Sequence, residues 1–388
     1  MNIPVMYVLD NFPGPTAGTE SQFWLLYQLM CAQGNAAPVF TLRKSEFFAE
    51  KIPGRYECLN IGSLASPTSL AKSFRFAHRA RSRGIRIAHL FLNDTSVLLP
   101  FFLWLFGIKT IISRRDLGFW YTRPILKLLR INRYFVSAAV SNCNAVAEVT
   151  QEQERYAATK TPVILNGVKK PDIIKSMKLK ERFNIGPHTV LLGMLANLRP
   201  LKGIRDAILS IATLKILGVN AHLVVAGADV SVNGVSEQKR LEQYALELGV
   251  HEQISFLGPI TNSWPFLAEL DIFLSCSSSE GLSNSIMEAM ASGTPVVATR
   301  VGGTTSIIEH DKSGLLYEPG QLNDLVTCIM SYIKNPQWTE RIAEEAKAFA
   351  ETYLSPEALL NAHQRLYSRI LGIKPDCHTH PTESVVLD

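Results

Sequence analysis

The sequence predicts an α/β chain built from two doubly wound parallel sheets, one in each half, and three observations carry that expectation. Short β-branched runs alternate with longer helical patterns from one end to the other, which is how βαβ units read. The runs are continuously apolar rather than alternating, as strands covered on both faces require. The chain has 388 residues, 47% hydrophobic and 19% charged, enough for two globular domains that each bury a core.

In the first half the strand candidates are 4–9, 37–42, 85–91, 108–113, 136–141 and 161–166, with helical patterns filling most of the gaps. The N-terminus lacks a basic leader and reads as the first strand rather than a signal peptide. The most apolar stretch, Val97 to Ile108, contains Pro100 and is too short to span a bilayer, so a buried helix flowing into a strand is expected. A polar, Lys-rich break from Asn166 to Pro187 reads as a linker. The second half then offers strands at 189–198, 221–227, 253–258, 271–276 and 294–303. The expected organisation is a first domain over 1–168, a linker over 169–187, a second domain over 188–352, a helix over 353–372 crossing back to the first domain, and a disordered tail over 373–388. His378 and His380 in that tail do not make a metal site by themselves.

Composition narrows the function classes. Six scattered cysteines, with no Cys-x-x-Cys spacing, favour a reducing compartment and argue against a thiolate metal centre, so the cytoplasm is expected. The net charge of +5 is unevenly placed. Arg43 to Arg133 holds 17 Lys or Arg against 5 Asp or Glu, or +12, leaving −7 for the remainder. The basic segment is either a set of solvated helix faces or a surface for anionic lipid, and peripheral attachment at the inner membrane face is the expectation attached to it. Exposed aromatics are expected among Phe101, Phe102, Trp104, Phe119, Trp120 and Tyr121.

Three constellations could carry chemistry. In EGLSNSIMEAMASGTPVVATRVGG (280–303), a small polar turn leads from a strand into a helix that can start near Ser283 or Asn284. Such a turn is an anion site, because unpaired N–H groups and the helix dipole converge there. Glu280 sits on the loop, whereas Glu288 lies on a helix of apolar residues and needs a bonding partner. In LANLRPLKGIRDAI (195–208), Arg199 and Lys202 follow a strand end, where two cations suit a diphosphate. In PGPTAGTESQFWLLYQL (13–29), a Gly/Pro-rich loop leads from the first strand into a helix, a weak signal alone.

Taken in order, these resemble the GT-B glycosyltransferases, specifically the retaining family four, over nearly the whole chain. Ala17-Gly18-Thr19-Glu20 looks like that family's Gly-Gly-Ala-Glu loop, and Val163 to Val168 is similar to the stretch that closes its first domain. Arg199-Pro200-Leu201-Lys202-Gly203 looks like its phosphate segment, and Glu280 with Glu288 fits its Glu-x7-Glu signature. The resemblance implies two Rossmann-like domains facing across a cleft, an acceptor-binding one followed by a nucleotide-sugar-binding one. It implies that Arg199 and Lys202 neutralise the donor diphosphate, that Glu280 holds the donor sugar and that Glu288 holds the ribose. Gly281, Leu282 and Ser283 would line sugar and phosphates, Gly18 would approach from the other domain, and Gly258 would lie where the backbone reads the base.

Where the family often has a histidine, this chain has Ser113-Arg114-Arg115-Asp116. Arg114, Arg115 and Asp116 are expected on the acceptor side, with Asp116 bonding a sugar or acceptor hydroxyl; an interdomain salt bridge is the competing account. The Gly302 to Ser306 loop lacks the family's glutamate, so no direct role is expected there. No Asp-x-Asp occurs, and no metal or other cofactor is expected.

The function expected is a retaining, metal-independent glycosyltransferase moving a sugar from a nucleotide-diphospho-sugar, with UDP the expected base, to a hydroxyl acceptor such as a lipid-linked saccharide. The partners expected are that donor and acceptor and an anionic membrane surface, and no nucleic acid. Two alternatives stay open: a nucleotide-sugar epimerase on the same fold, separable by its product, and a non-catalytic sugar-nucleotide-binding module. A nicotinamide dehydrogenase is disfavoured because PGPTAGTE does not match G-x-G-x-x-G.

Overall fold

The computed structural model describes residues 3–15, 18–232 and 234–373. The expectations placed on Ala17 and on the tail beyond Ile373 lie outside the described residues. The chain divides into two compact units: one runs to Gly167 and resumes at Pro356, and the other spans Val168–Ser355.

The first unit contains β1 (Val5–Leu9), α1 (Gly18–Ala32), β2 (Val39–Thr41), α2 (Glu46–Lys51), β3 (Tyr56–Cys58), α3 (Pro67–Ser82) and β4 (Ile87–Leu90). It continues through α4 (Asn93–Leu98), α5 (Pro100–Leu105), β5 (Lys109–Arg114), α6 (Arg123–Asn132), β6 (Val136–Ser141) and α7 (Asn144–Glu154). The six strands form one parallel sheet in the order β3-β2-β1-β4-β5-β6. Because side chains alternate across a strand, Val5, Tyr7 and Leu9 face the core under α1, while Met6 and Val8 face the core under α3 and α5. Burial on both faces explains why the strands read as unbroken apolar runs.

Two sequence expectations need correction here. Residues 161–166 form no strand, only an isolated bridge from Val163 to Ser141. The sixth strand is instead β3, whose half-buried, polar Tyr-Glu-Cys carries no strand pattern. The apolar stretch 97–108 is broken at Pro100 into two short helices, and its outer side is in solvent, with Phe101, Trp104 and Leu105 exposed.

The second unit contains α8 (Leu179–Arg182), β7 (Val190–Leu195), α9 (Ile204–Ile216), β8 (Ala221–Ala226), a short antiparallel pair β9 (Ser231–Val232) and β10 (Val235–Ser236), and α10 (Glu237–Glu247). There follow β11 (Ile254–Gly258), α11 (Trp264–Leu267), β12 (Ile272–Ser275), α12 (Asn284–Ser292), β13 (Val296–Thr299), β14 (Leu315–Tyr317), α13 (Leu322–Lys334) and α14 (Pro336–Tyr353). Its main sheet repeats the first unit's order, β11-β8-β7-β12-β13-β14, all parallel. Within the stretch read as a linker, Glu269 accepts the backbone N–H groups of Met177, Lys178 and Leu179 and so fixes the start of α8. The last helix, α15 (Pro356–Leu371), belongs to the first unit, where Leu359, Leu360, Leu366 and Tyr367 complete the core over α1.

Candidate active site

In a parallel sheet of this order, connections leave in opposite directions on either side of the first strand of the unit. A crevice therefore opens at the carboxyl ends of the two strands flanking that reversal. In the second unit those strands are β7 and β12. The loop after β7 carries Arg199 and Lys202, and the loop after β12 carries Ser277 and Glu280. Lys202 Nζ reaches Glu280 Oε1 at 2.5 Å, and the Ser277 hydroxyl donates to the same oxygen at 2.8 Å. Both charged side chains are largely sheltered, at 24% and 14% exposure, so the pair is charge-assisted and partly desolvated yet still reachable.

Two glycines permit this closeness. Gly203 has φ +64, and a Cβ there would lie 1.9 Å from the Cys276 carbonyl oxygen, so the β7 and β12 loops can touch only through glycine. Gly302 has φ +46, and its Cβ would lie 1.7 Å from the Glu280 carbonyl oxygen. Gly303 N–H also donates to the Gly281 carbonyl at 2.6 Å. The Gly302 to Ser306 loop thus buttresses the Glu280 backbone, a supporting role that the sequence did not disclose.

Helix α12 starts one residue after Ser283, whose hydroxyl bonds the Ser285 hydroxyl at 3.1 Å rather than a first-turn N–H. Gly293, at φ +80, ends the helix in the left-handed conformation. Leu282 and Ser283 are buried at its entrance, and Gly281 is partly exposed. Glu288 lies one turn in, among buried Ile286, Met287, Ala289 and Met290. Burial raises its pKa, while a hydrogen bond from the Ser263 side chain pulls the other way. Ser263, at the start of α11, is the partner that the sequence required without being able to name. Gly258 ends β11 at φ +78, and its carbonyl accepts Gly227 N–H at 2.9 Å. Arg199 is exposed and makes no ion pair among the described residues.

The first unit treats its own strand reversal differently. Between the carboxyl ends of β1 and β4, the Asp10 carboxylate accepts the backbone N–H groups of Asn93, Asp94 and Thr95 at 2.8 to 3.0 Å. The chain's own carboxylate therefore fills the anion position at that helix start. Burial raises the Asp10 pKa against these hydrogen bonds.

The three residues placed on the acceptor side are separated by the fold. Arg114 is buried and grips Glu154 with two bonds, Nε to Oε1 at 2.5 Å and Nη2 to Oε2 at 2.8 Å, and Tyr121 donates its hydroxyl to Glu154 Oε1. Burial opposes the Arg114 charge, but attraction to Glu154 outweighs it and holds the pKa above the ordinary value. Arg114, expected on the acceptor side, is thus an internal strut of the first unit, its charge paired with Glu154 inside that unit. Arg115 donates to Asn166 Oδ1 at 2.5 Å and lies 5.8 Å from the Phe91 ring centroid. Among the described residues it has no carboxylate partner and its solvent-sealed Nε has no acceptor, and burial pushes its pKa down to about 10. Asp116 is half-buried and accepts Gly118 N–H at 2.7 Å. Gly18 begins α1.

The fold is that of the GT-B proteins. The chain superposes on a crystal structure of Anabaena Alr3699/HepE in complex with UDP with a TM-score of 0.80, covering 95% of this chain and 100% of that one at 22% identity. It matches WaaG, a glycosyltransferase involved in lipopolysaccharide biosynthesis, with a TM-score of 0.66 at 18% identity, covering 95% and 100% of the two chains. More particularly, residues 176–349 match the family model described as glycosyl transferases group 1. Among curated proteins, the lipopolysaccharide core biosynthesis glycosyltransferase LpsE of Rhizobium meliloti (strain 1021) is 32% identical over 139 residues, 36% of this chain and 40% of LpsE. N-acetyl-alpha-D-glucosaminyl L-malate synthase of Bacillus anthracis is 25% identical over 194 residues, 50% of this chain and 49% of that protein. The chain therefore aligns with half or less of the length of these curated relatives.

Proposed function

We propose that the protein is a retaining glycosyltransferase that transfers a sugar from a nucleotide-diphospho-sugar to a hydroxyl acceptor without a metal ion. The observation that carries this reading is the Lys202–Glu280 pair at the strand reversal of the second unit, beside the start of α12 and with Glu288 one turn further on. The group 1 match over residues 176–349 and the UDP bound to HepE support a nucleotide-sugar donor.

On this reading Lys202 exchanges part of its hold on Glu280 for the donor diphosphate, and Arg199 adds a second positive charge. As the bond from the anomeric carbon to the diphosphate oxygen breaks, negative charge grows on the leaving group, and fixed cations with the α12 N–H groups stabilise it. The acceptor oxygen attacks the oxocarbenium-like carbon from the same face, and its proton passes toward the departing phosphate. Glu280 holds the sugar in register, and Glu288 bonds the ribose hydroxyls. Positioning and leaving-group stabilisation carry the step, so no strong side-chain nucleophile is required. Arg115 and Asp116 serve the acceptor, which is a lipid-linked saccharide of polysaccharide or glycolipid synthesis, handled at the cytoplasmic membrane face.

The test begins with a thermal-shift screen of UDP-, GDP- and ADP-sugars, since a ligand that binds only the native state raises its apparent stability. The hit then serves as donor in a product assay. Lys202→Ala and Glu280→Ala are expected to lower turnover by at least about 100-fold, the scale of losing one oxyanion-stabilising group, with circular dichroism unchanged. EDTA is expected to leave the rate unchanged. Full activity in both variants would sink the site assignment, and strict dependence on a divalent ion would sink the metal-free step. Release of a free epimer instead of a glycoside would favour an epimerase.

A further inference from the structure

We propose that the outer face of the first unit formed by α3, α5 and α6 is a docking surface for an anionic lipid bilayer. The inference deepens the reading of a lipid-linked acceptor, but it stands on its own observations. The helices are linked in a series, α3 to α5 and α5 by way of Phe135 and α4 to α6. Phe74 of α3 packs edge-on against Phe106 at the end of α5, with ring centroids 5.0 Å apart. Phe101 and Trp104 of α5 pack against Phe135, just beyond α6, at 5.3 and 5.1 Å. Asn132 ties α6 to α4 by donating to the Ser96 and Val97 carbonyls.

What these helices turn outward is both apolar and cationic. Trp104 is 52% exposed, Ile131 54% and Leu128 49%, with Phe74, Phe101 and Leu105 also in solvent. On α6 the buried positions are Leu129 and Asn132, so Leu128 and Ile131 form a stripe that the fold does not cover. Beside that stripe run Arg123, Lys127 and Arg130 at i, i+4 and i+7. The three helices together hold seven Lys or Arg and not one Asp or Glu. Arg75, Arg81, Arg123 and Lys127 make no ion pair among the described residues. A tryptophan, branched aliphatics and free cations on one face fit the boundary between acyl chains and acidic headgroups, where aromatic rings and basic side chains settle together.

Charge decides against the other occupants of an apolar face. A second copy would bring the same cationic surface against itself in a two-fold contact, so repulsion would oppose the apolar gain. A polyanion such as nucleic acid would satisfy the cations but leave the Leu128 and Ile131 stripe without an apolar partner. Only a bilayer with acidic headgroups satisfies both components.

The experiment is co-sedimentation of the full chain with phosphatidylcholine vesicles and with vesicles containing phosphatidylglycerol, at low and high salt. Binding to the acidic vesicles alone, released by salt, is expected. Neutralising Arg123→Gln and Lys127→Gln should weaken partitioning by roughly fivefold per cation. Trp104→Ser with Ile131→Ser should weaken it further, whereas Ile216→Ser, an exposed position of the second unit, should change nothing. All these side chains are exposed, so an unchanged melting temperature should accompany each variant. A wild-type chain that stays in the supernatant with both vesicle types overturns the inference, as do variants that bind like wild type. It is equally overturned by a dimer that Ile131→Ser dissolves, or by retention on heparin, without vesicle binding. No sugar donor enters this assay, so its failure leaves the transferase reading standing, and a failed transfer assay leaves this inference standing.

Discussion

Arg114 and Arg115 are sequence neighbours with opposite fates, because successive side chains at the end of β5 point to opposite sides. Arg114 meets Glu154, a residue 40 positions away at the end of α7, in a pair whose side chains are 3% and 0% exposed. No local pattern announces such a partner, so the sequence grouped both arginines with the site. Removing one partner of a buried pair strands the other charge, at a cost of roughly 3 to 5 kcal/mol. Glu154→Ala should therefore lower the unfolding free energy in urea by that amount, and Glu154→Gln by less, since a hydrogen bond to Arg114 survives. A loss below about 1 kcal/mol for the alanine variant would mean that the pair is not the strut described. By contrast, the placement of Lys202 and Glu280 after strand ends was legible, since parallel sheets place ligands there, although their pairing with each other was not. What the spacing did not disclose was the glycine contact that allows it: Gly203 against Cys276 depends on how two distant loops approach.

At the scale of elements, most strands buried on both faces were legible, three-residue β2 among them, whereas polar β3 and the buried but short β14 were not. Val136–Ser141 was bounded correctly, whereas β3, β14 and the β9–β10 pair carry three residues or fewer each and offer no period to detect. Apparent strand character at 161–166 failed because only Val163 finds a bridge partner. Helix α15 shows another limit, since its apolar face is legible but the polar network beneath it is not. His89 of β4 shares hydrogen bonds with Tyr367 Oη at 2.8 Å and Ser113 Oγ at 2.9 Å. His363 bonds the Leu359 carbonyl through Nδ1 at 2.9 Å. Burial pushes the His363 pKa down to about 4, and burial, aided by His363 and Arg115, pushes that of His89 well below 6.5. Both rings are therefore neutral in the native chain at pH 6, while an unfolded histidine takes up a proton below about pH 6.5. Stability should be constant above that pH and fall as pH drops from 6.5 toward 4, by up to about 1.4 kcal/mol per pH unit for each such histidine. Urea midpoints at pH 7 and pH 5 test this, and His363→Phe should flatten the slope. A slope unchanged in that variant would remove His363 from the account.

At the scale of the molecule, the two doubly wound parallel sheets were legible beforehand, but the strand order that occurs in both was not read from the runs themselves. Which strand pairs with which is a long-range choice that continuously apolar runs do not encode. The two units have separate cores, and the first owes part of its core to residues that follow the second. Leu359, Leu360, Leu366 and Tyr367 are almost wholly buried against α1 and its sheet. At roughly 1.5 to 3 kcal/mol for each large apolar side chain, their gross contribution is about 6 to 12 kcal/mol, comparable to the whole net stability of an ordinary domain. A chain ending at Ser355 should therefore lose the first unit selectively. Hydrogen exchange is expected to show protection gone from β1 and β4 but kept in β7, β8 and β12. The site built from Lys202, Glu280 and Glu288 would stay assembled, because every residue shown to support it, from Gly203 to Ser263 and Gly302, lies in the second unit. The nucleotide-sugar that raises the melting temperature of the full chain should then still raise that of the surviving transition. Protection retained in β1 and β4 would show that the sheet does not need α15. Protection lost from both sheets together would show that the two cores do not fold as separate units.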